Sequence, residues 1–85
     1  MRKQRNFYLL HLPENEREIF DDRCKAYGFA EENGLGEFYE ISGKFSKRKL
    51  NNLKSLLLDG SSGSSKKKLD LINLEMKHLQ ITELN

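Results

Sequence analysis

The sequence predicts an α+β fold, a small two-layer sandwich with its elements in the order β-α-β-α-β(β). Three observations carry that expectation. The run Phe7 to Leu12 is apolar at both alternating positions, and Phe38 to Ile41 alternates between flanking glycines. Leu50, Leu53 and Leu57 repeat at helical spacing behind a serine that can cap a helix. Segments of period two and of period 3.6 in one short chain point to a sheet covered by helices.

The first element is a strand over Asn6–Leu12. Phe7 and Leu9 lie on one face, and Tyr8, Leu10 and Leu12 on the other. A strand apolar on both sides is covered on both sides, which places it centrally in its sheet. Pro13 then opens a helix, because its missing N–H costs nothing at the first helical position. Glu14 and Glu16 suit the positive end of that helix. Ile19, Phe20, Cys24 and Tyr27 share a face, Asp21 and Lys25 are spaced to pair, and Gly28 can end it. Asn33-Gly34-Leu35-Gly36 reads as a turn.

Glu37 to Ser42 reads as a second strand, broken by Gly43. Ser46 caps a second helix reaching Leu58, with Leu50, Leu53 and Leu57 inward. Arg48, Asn51 and Ser55 point outward, with Lys47 and Lys54 beside them. A flexible Gly/Ser loop spans 59–66. From Leu69 onward two readings compete. Leu69, Ile72, Met76 and Leu79 suit a helix, whereas the closing Leu-Gln-Ile-Thr-Glu-Leu suits a strand. One or two strands are expected there, since two strands alone make a marginal sheet. The whole chain, 1–85, reads as a single small domain, and a ferredoxin-like topology fits the element order. Tyr8, Leu10, Leu12, Ile19, Phe20, Tyr27, Phe38, Ile41, Leu50, Leu53 and Leu57 are the expected core.

Composition bounds the function. At 85 residues, 36% hydrophobic and 33% charged, the chain has a thin core margin. A partner or a second copy is therefore expected to cover part of its apolar surface, and a homodimer is one form of that. A lone cysteine, Cys24, allows no internal disulfide and fits a reducing compartment. The apolar run after the basic N-terminus is too short for a secretory core, and no stretch could span a bilayer. A soluble, cytoplasmic protein with no membrane association is expected.

Charge is distributed unevenly. Residues 29–43 carry four acidic groups (Glu31, Glu32, Glu37, Glu40) and no basic ones. Residues 44–68 carry eight basic groups against Asp59. Such a block suggests an anionic partner. The residues expected to contact a nucleic-acid backbone are Lys44, Lys47, Arg48, Asn51, Lys54, Lys66, Lys67 and Lys68. Lysine and arginine neutralise phosphates, and asparagine adds hydrogen bonds that position without reading bases. The alternative is a protein-binding inhibitor or adaptor, of the type that mobile elements and phages encode, whose acidic segment 29–43 meets a basic surface.

Catalytic constellations are not expected. Cys24 falls on the proposed buried helix face, where a structural role is the simpler reading. Cys24 with His11 and His78 matches no metal-ligand spacing. Asp21–Asp22 and Glu31–Glu32 are sequence neighbours, which do not face each other on a helix. Gly34-Leu35-Gly36 precedes a strand instead of opening a helix, so it is not a phosphate loop. No enzyme activity, cofactor or metal is expected. Phe7 to Glu14, with the helix to Gly28, resembles the strand and first helix of ribbon-helix-helix repressors. The positions that would reach base edges there are Phe7, Leu9 and His11, two of them apolar, and a glycine turn stands where the second helix should begin. No family is assigned.

Overall fold

A computed structural model describes residues 3–12, 16–34, 36–59, 65–76 and 79–84. Seven elements follow one another: β1 (Lys3–His11), β2 (Arg17–Phe20), α1 (Arg23–Glu32), β3 (Glu37–Phe45), α2 (Lys47–Leu58), α3 (Ser65–Met76) and β4 (Gln80–Glu83). The four strands form one sheet in the order β2-β1-β3-β4, and every neighbouring pair is antiparallel. The α+β class is as the sequence predicts, and β1 is central as its two apolar faces require. The element order differs. A ferredoxin-like fold repeats a split β-α-β unit, whereas here β1 and β2 follow one another as an antiparallel pair before the first helix.

The register separates two cores. Odd-numbered β1 and β3 residues (Phe7, Leu9, Tyr39, Ile41, Phe45) face α2 and α3, meeting Leu50, Leu53, Leu57 and Leu69. Even-numbered ones (Tyr8, Leu10, Phe38) face α1, meeting Ala26 and Ala30. Helices thus cover both faces, making three layers instead of two. The two alanines let α1 lie close to the sheet, and Tyr27 meets Phe38 edge-on at 5.0 Å between ring centroids. Burying each leucine of the α2 stripe contributes about 1.5–3 kcal/mol.

The helix expected over 13–28 is replaced by a hairpin and a later helix. Residues 13–15 lie outside the described residues. Arg17–Phe20 pairs with β1 from Tyr8↔Phe20 to His11↔Arg17. Ile19 and Phe20 are neighbours that serve opposite layers, Ile19 beneath α2 and Phe20 against α1. The cap is Asp22, whose carboxylate accepts from the Cys24 N–H at 2.9 Å. Gly28 therefore sits inside α1, and the helix ends at Asn33 with Gly34 in the left-handed region at φ 78°. Cys24 is exposed, not buried. Asp21 precedes the helix and pairs with Lys54, not Lys25.

Two further expectations change. Gly43 does not break β3; it is buried within the strand opposite Arg5. The segment expected as one or two strands from Leu69 is α3 followed by β4. Leu69 and Ile72 turn toward the sheet, as their helical spacing requires, and Gln80–Glu83 then closes the outer edge of β3. The glycine–serine run 60–64 lies outside the described residues, while Ser65 and Lys66 already belong to α3. Among the described residues no helix is long and apolar enough to cross a membrane.

Candidate nucleic-acid interface

β3 and α2 meet at one end of the molecule, and three of the seven predicted cations, Lys44, Lys47 and Arg48, lie there. Ser46 joins the two elements. Its hydroxyl accepts from the Lys49 N–H at 3.2 Å, which starts the helix immediately after Phe45 enters the core. Lys44, Lys47, Arg48, Lys49 and Asn51 are exposed around this junction. The register Lys3↔Phe45 and Arg5↔Gly43 brings the basic start of β1 to the same end. Arg5 is fixed there by donating from Nε to the Phe45 carbonyl at 3.1 Å.

A groove of about 440 Å³ lies between β1 and α2, lined by Arg5, Asn6, Asp21, Lys47, Asn51 and Lys54. It exists because β2 stops short. Phe20 pairs with Tyr8, so among the described residues β1 residues 3–7 have a partner strand on the β3 side only. Asp21 turns away at that point and contributes the carboxylate of the groove. Lys54 donates to it at 2.7 Å and lies 5.9 Å from the centroid of the Phe7 ring. The pair is worth about 0.2–1 kcal/mol, because Asp21 is 74% exposed. Lys54 is thus held inward, and Lys47 and Arg5 carry the net positive charge of the groove, with Arg48 exposed one residue further along α2.

The structure does not bring Lys66, Lys67 and Lys68 to this surface. They open α3 beside the other end of α2, about 18 Å away along twelve residues of helix. Lys68 donates to the carbonyls of Leu56 at 3.3 Å and Asp59 at 2.7 Å. Arg17 adds a bond to the Asp59 carbonyl at 3.0 Å. Two cations therefore cap the C-terminus of α2, where the helix dipole favours them. Lys66 lies in a separate groove of about 430 Å³ with Tyr39, Asp70, Asn73 and Glu83. In that groove burial first, and then the charges of Glu37, Glu83 and Asp70, push the Tyr39 phenol up to about 12. On the opposite face, burial and the Glu40 carboxylate raise Tyr8 above its usual range.

Sequence reasoning missed Arg5, Asn6 and Lys49. The alternation Lys3, Arg5, Phe7 was a usable signal, since it continues the α2-facing side of β1 into basic residues. A buried polar cluster was also missed. Ser65 is fully buried, its Oγ accepts from Arg17 Nε at 3.0 Å, and it lies 2.5 Å from His11 Nδ1. Bonded at once to β1 and β2, the buried hydroxyl anchors α3 to the sheet. His11 and Cys24 are on different elements and opposite layers, and His78 lies outside the described residues. Among the described residues no three His, Cys, Asp or Glu side chains are grouped to hold a metal ion.

The acidic segment does not form one surface. Glu31 and Glu32 are exposed at the end of α1, Glu37 is half-buried on the α3 side of the sheet, and Glu40 is on the α1 side beside Tyr8. None of the eight aromatic residues is exposed. Comparisons with protein-family models, with curated proteins and with solved structures find no match for this chain.

Proposed function

We propose that the protein binds the sugar–phosphate backbone of duplex nucleic acid without sequence preference, through the basic end formed by β1, the β3–α2 junction and the exposed turns of α2. The observation that supports this most is that the β1–β3 register brings Arg5, distant in sequence, to the same end as Lys47 and Arg48, with Lys44 emerging there on the α1 side of β3 and with Asn6 and Asn51 lining the groove beside Arg5 and Lys47. Asp21 is the one carboxylate among the groove's lining residues, and Lys54 neutralises it. Arg48 has the planar fork that suits phosphate, and the two asparagines can donate to phosphate oxygens.

The aromatic distribution favours duplex over single strand. Proteins that hold single strands stack bases on exposed rings, and every ring here is wholly or partly buried. With no exposed ring to stack on among the described residues, phosphate contact through the cations is the mode proposed. The alternative inhibitor reading loses its proposed surface, because the acidic residues point to three different parts of the molecule.

Fluorescence anisotropy with labelled mixed-sequence duplexes and single strands at low salt tests the proposal. Duplexes of unrelated sequence should bind with similar affinity, and single strands no better. Absence of binding to either at low ionic strength would remove the proposal outright.

A further inference from the structure

The other flank of α2 carries a second groove, about 480 Å³, lined by Ser46, Arg48, Lys49, Asn52, Leu53, Leu56 and Ile72. Its floor and wall are apolar. Leu53 is buried, Ile72 of α3 is half-buried, and Leu56 is 56% exposed, unusual for a leucine pointing into a concavity. Its rim is cationic, and among the described lining residues there is no carboxylate. A nucleic-acid backbone would meet Arg48 and Lys49 but leave Leu56 and Ile72 facing water. A neutral apolar partner would cover the leucines but strand the cations.

We propose that this groove docks an acidic amphipathic helix from a partner protein. Such a helix lays leucine-type anchors at i, i+3, i+4 and i+7 along an apolar floor and turns its carboxylates to the rim. The groove runs along α2 beside α3, so the incoming helix packs on two helices at the usual 8–10 Å interaxial spacing, roughly. Electrostatic complementarity sets its direction and register, and burial of Leu56 supplies affinity. Arg48 and Lys49 stand between this groove and the phosphate surface, whereas Leu56 and Ile72 belong to this site alone.

The test uses the full chain and three labelled peptides of about 15 residues, roughly 22 Å of helix. One is amphipathic with leucines and glutamates, one has the same composition scrambled, and one replaces glutamate by lysine. The acidic amphipathic peptide should bind saturably, and the other two at least about tenfold more weakly. Leu56→Asp and Lys49→Glu should each weaken the first peptide by at least about tenfold, and Lys47→Glu, on the opposite flank, by no more than about twofold. Leu56 is exposed, so its replacement should leave the far-ultraviolet spectrum and melting temperature of the protein unchanged. Equal binding of the scrambled peptide, indifference to Leu56→Asp, or no binding of the acidic peptide would each overturn the assignment. Duplex binding retained by Leu56→Asp keeps the two surfaces distinguishable.

Discussion

Replacing Ser65 by alanine should destabilise the protein far more than a surface serine would. The hydroxyl is the meeting point of three elements: α3 supplies it, β1 brings His11, and β2 brings Arg17. Removing it deletes a bond from a guanidinium, worth about 1.5–3 kcal/mol, and one with an imidazole, worth about 0.5–1.5. Arg17 keeps its bond to the Asp59 carbonyl, which limits the loss. The expected cost is about 2–4 kcal/mol. For a domain of this size each kcal/mol lowers the melting temperature by about 4–8 °C. A thermal melt of Ser65→Ala should therefore fall by at least about 8 °C, and a cycle with Arg17→Met should show coupling of about 1 kcal/mol or more. A melt within about 2 °C of the parent, or strictly additive single and double variants, would refute the claim that this cluster anchors α3.

Three further outcomes follow from the packing. Leu53→Ala, at a site 2% exposed, should cost about 2–5 kcal/mol by chemical denaturation, and a negligible change would place Leu53 outside the core. Gly36→Ala should destabilise, because a Cβ there runs into the backbone carbonyl of His11, and unchanged stability would show that the β1–β3 end can open freely. Raising the pH should weaken the fold through Tyr39. Its phenol is held up to about 12 when folded and ionises near 10 when unfolded. Below pH 10 that stability is fully present; between about 10 and 12 the unfolded chain releases a proton that the folded one keeps, so stability falls by up to about 3 kcal/mol. Tyr39→Phe should flatten that part of the denaturation profile, and an unchanged alkaline slope would count against the shift.

What the sequence discloses of this fold depends on how far each signal reaches. β1 is legible because both of its alternations are apolar, and α2 because Ser46 caps a clean leucine stripe. β2 is hidden because it is four residues long and its Ile19 and Phe20 serve opposite layers. Adjacent apolar residues of that kind look like one side of a helix, and only pairing with β1 decides otherwise. Cys24 was placed inward by the same misreading; once Asp22 is the cap, Ala26 and Ala30 become the inner stripe. α3 is blurred by Leu71 and Leu74, which are 65% and 74% exposed and obscure the spacing of Leu69 and Ile72. The basic cluster was partly visible as a count along the chain. Arg5 joins it through the β1–β3 register, and Lys66 to Lys68 leave it through the length of α2, neither of which a local pattern contains.

The central claim is that cations gathered at the β3–α2 junction neutralise phosphates. If four do so, the logarithm of the association constant should fall with the logarithm of salt at a slope of about −3.6, a loss of about 150-fold between about 50 and 200 mM. The most direct measurement is that slope for a mixed duplex, compared between the unmodified protein and the variant Lys44→Gln, Lys47→Gln, Arg48→Gln. The three substitutions are exposed and should leave the fold intact. The slope should fall to about −1, with weaker binding to every duplex sequence. An unchanged slope in a folded variant, or a slope that instead collapses when Lys66 and Lys67 are replaced, would contradict it.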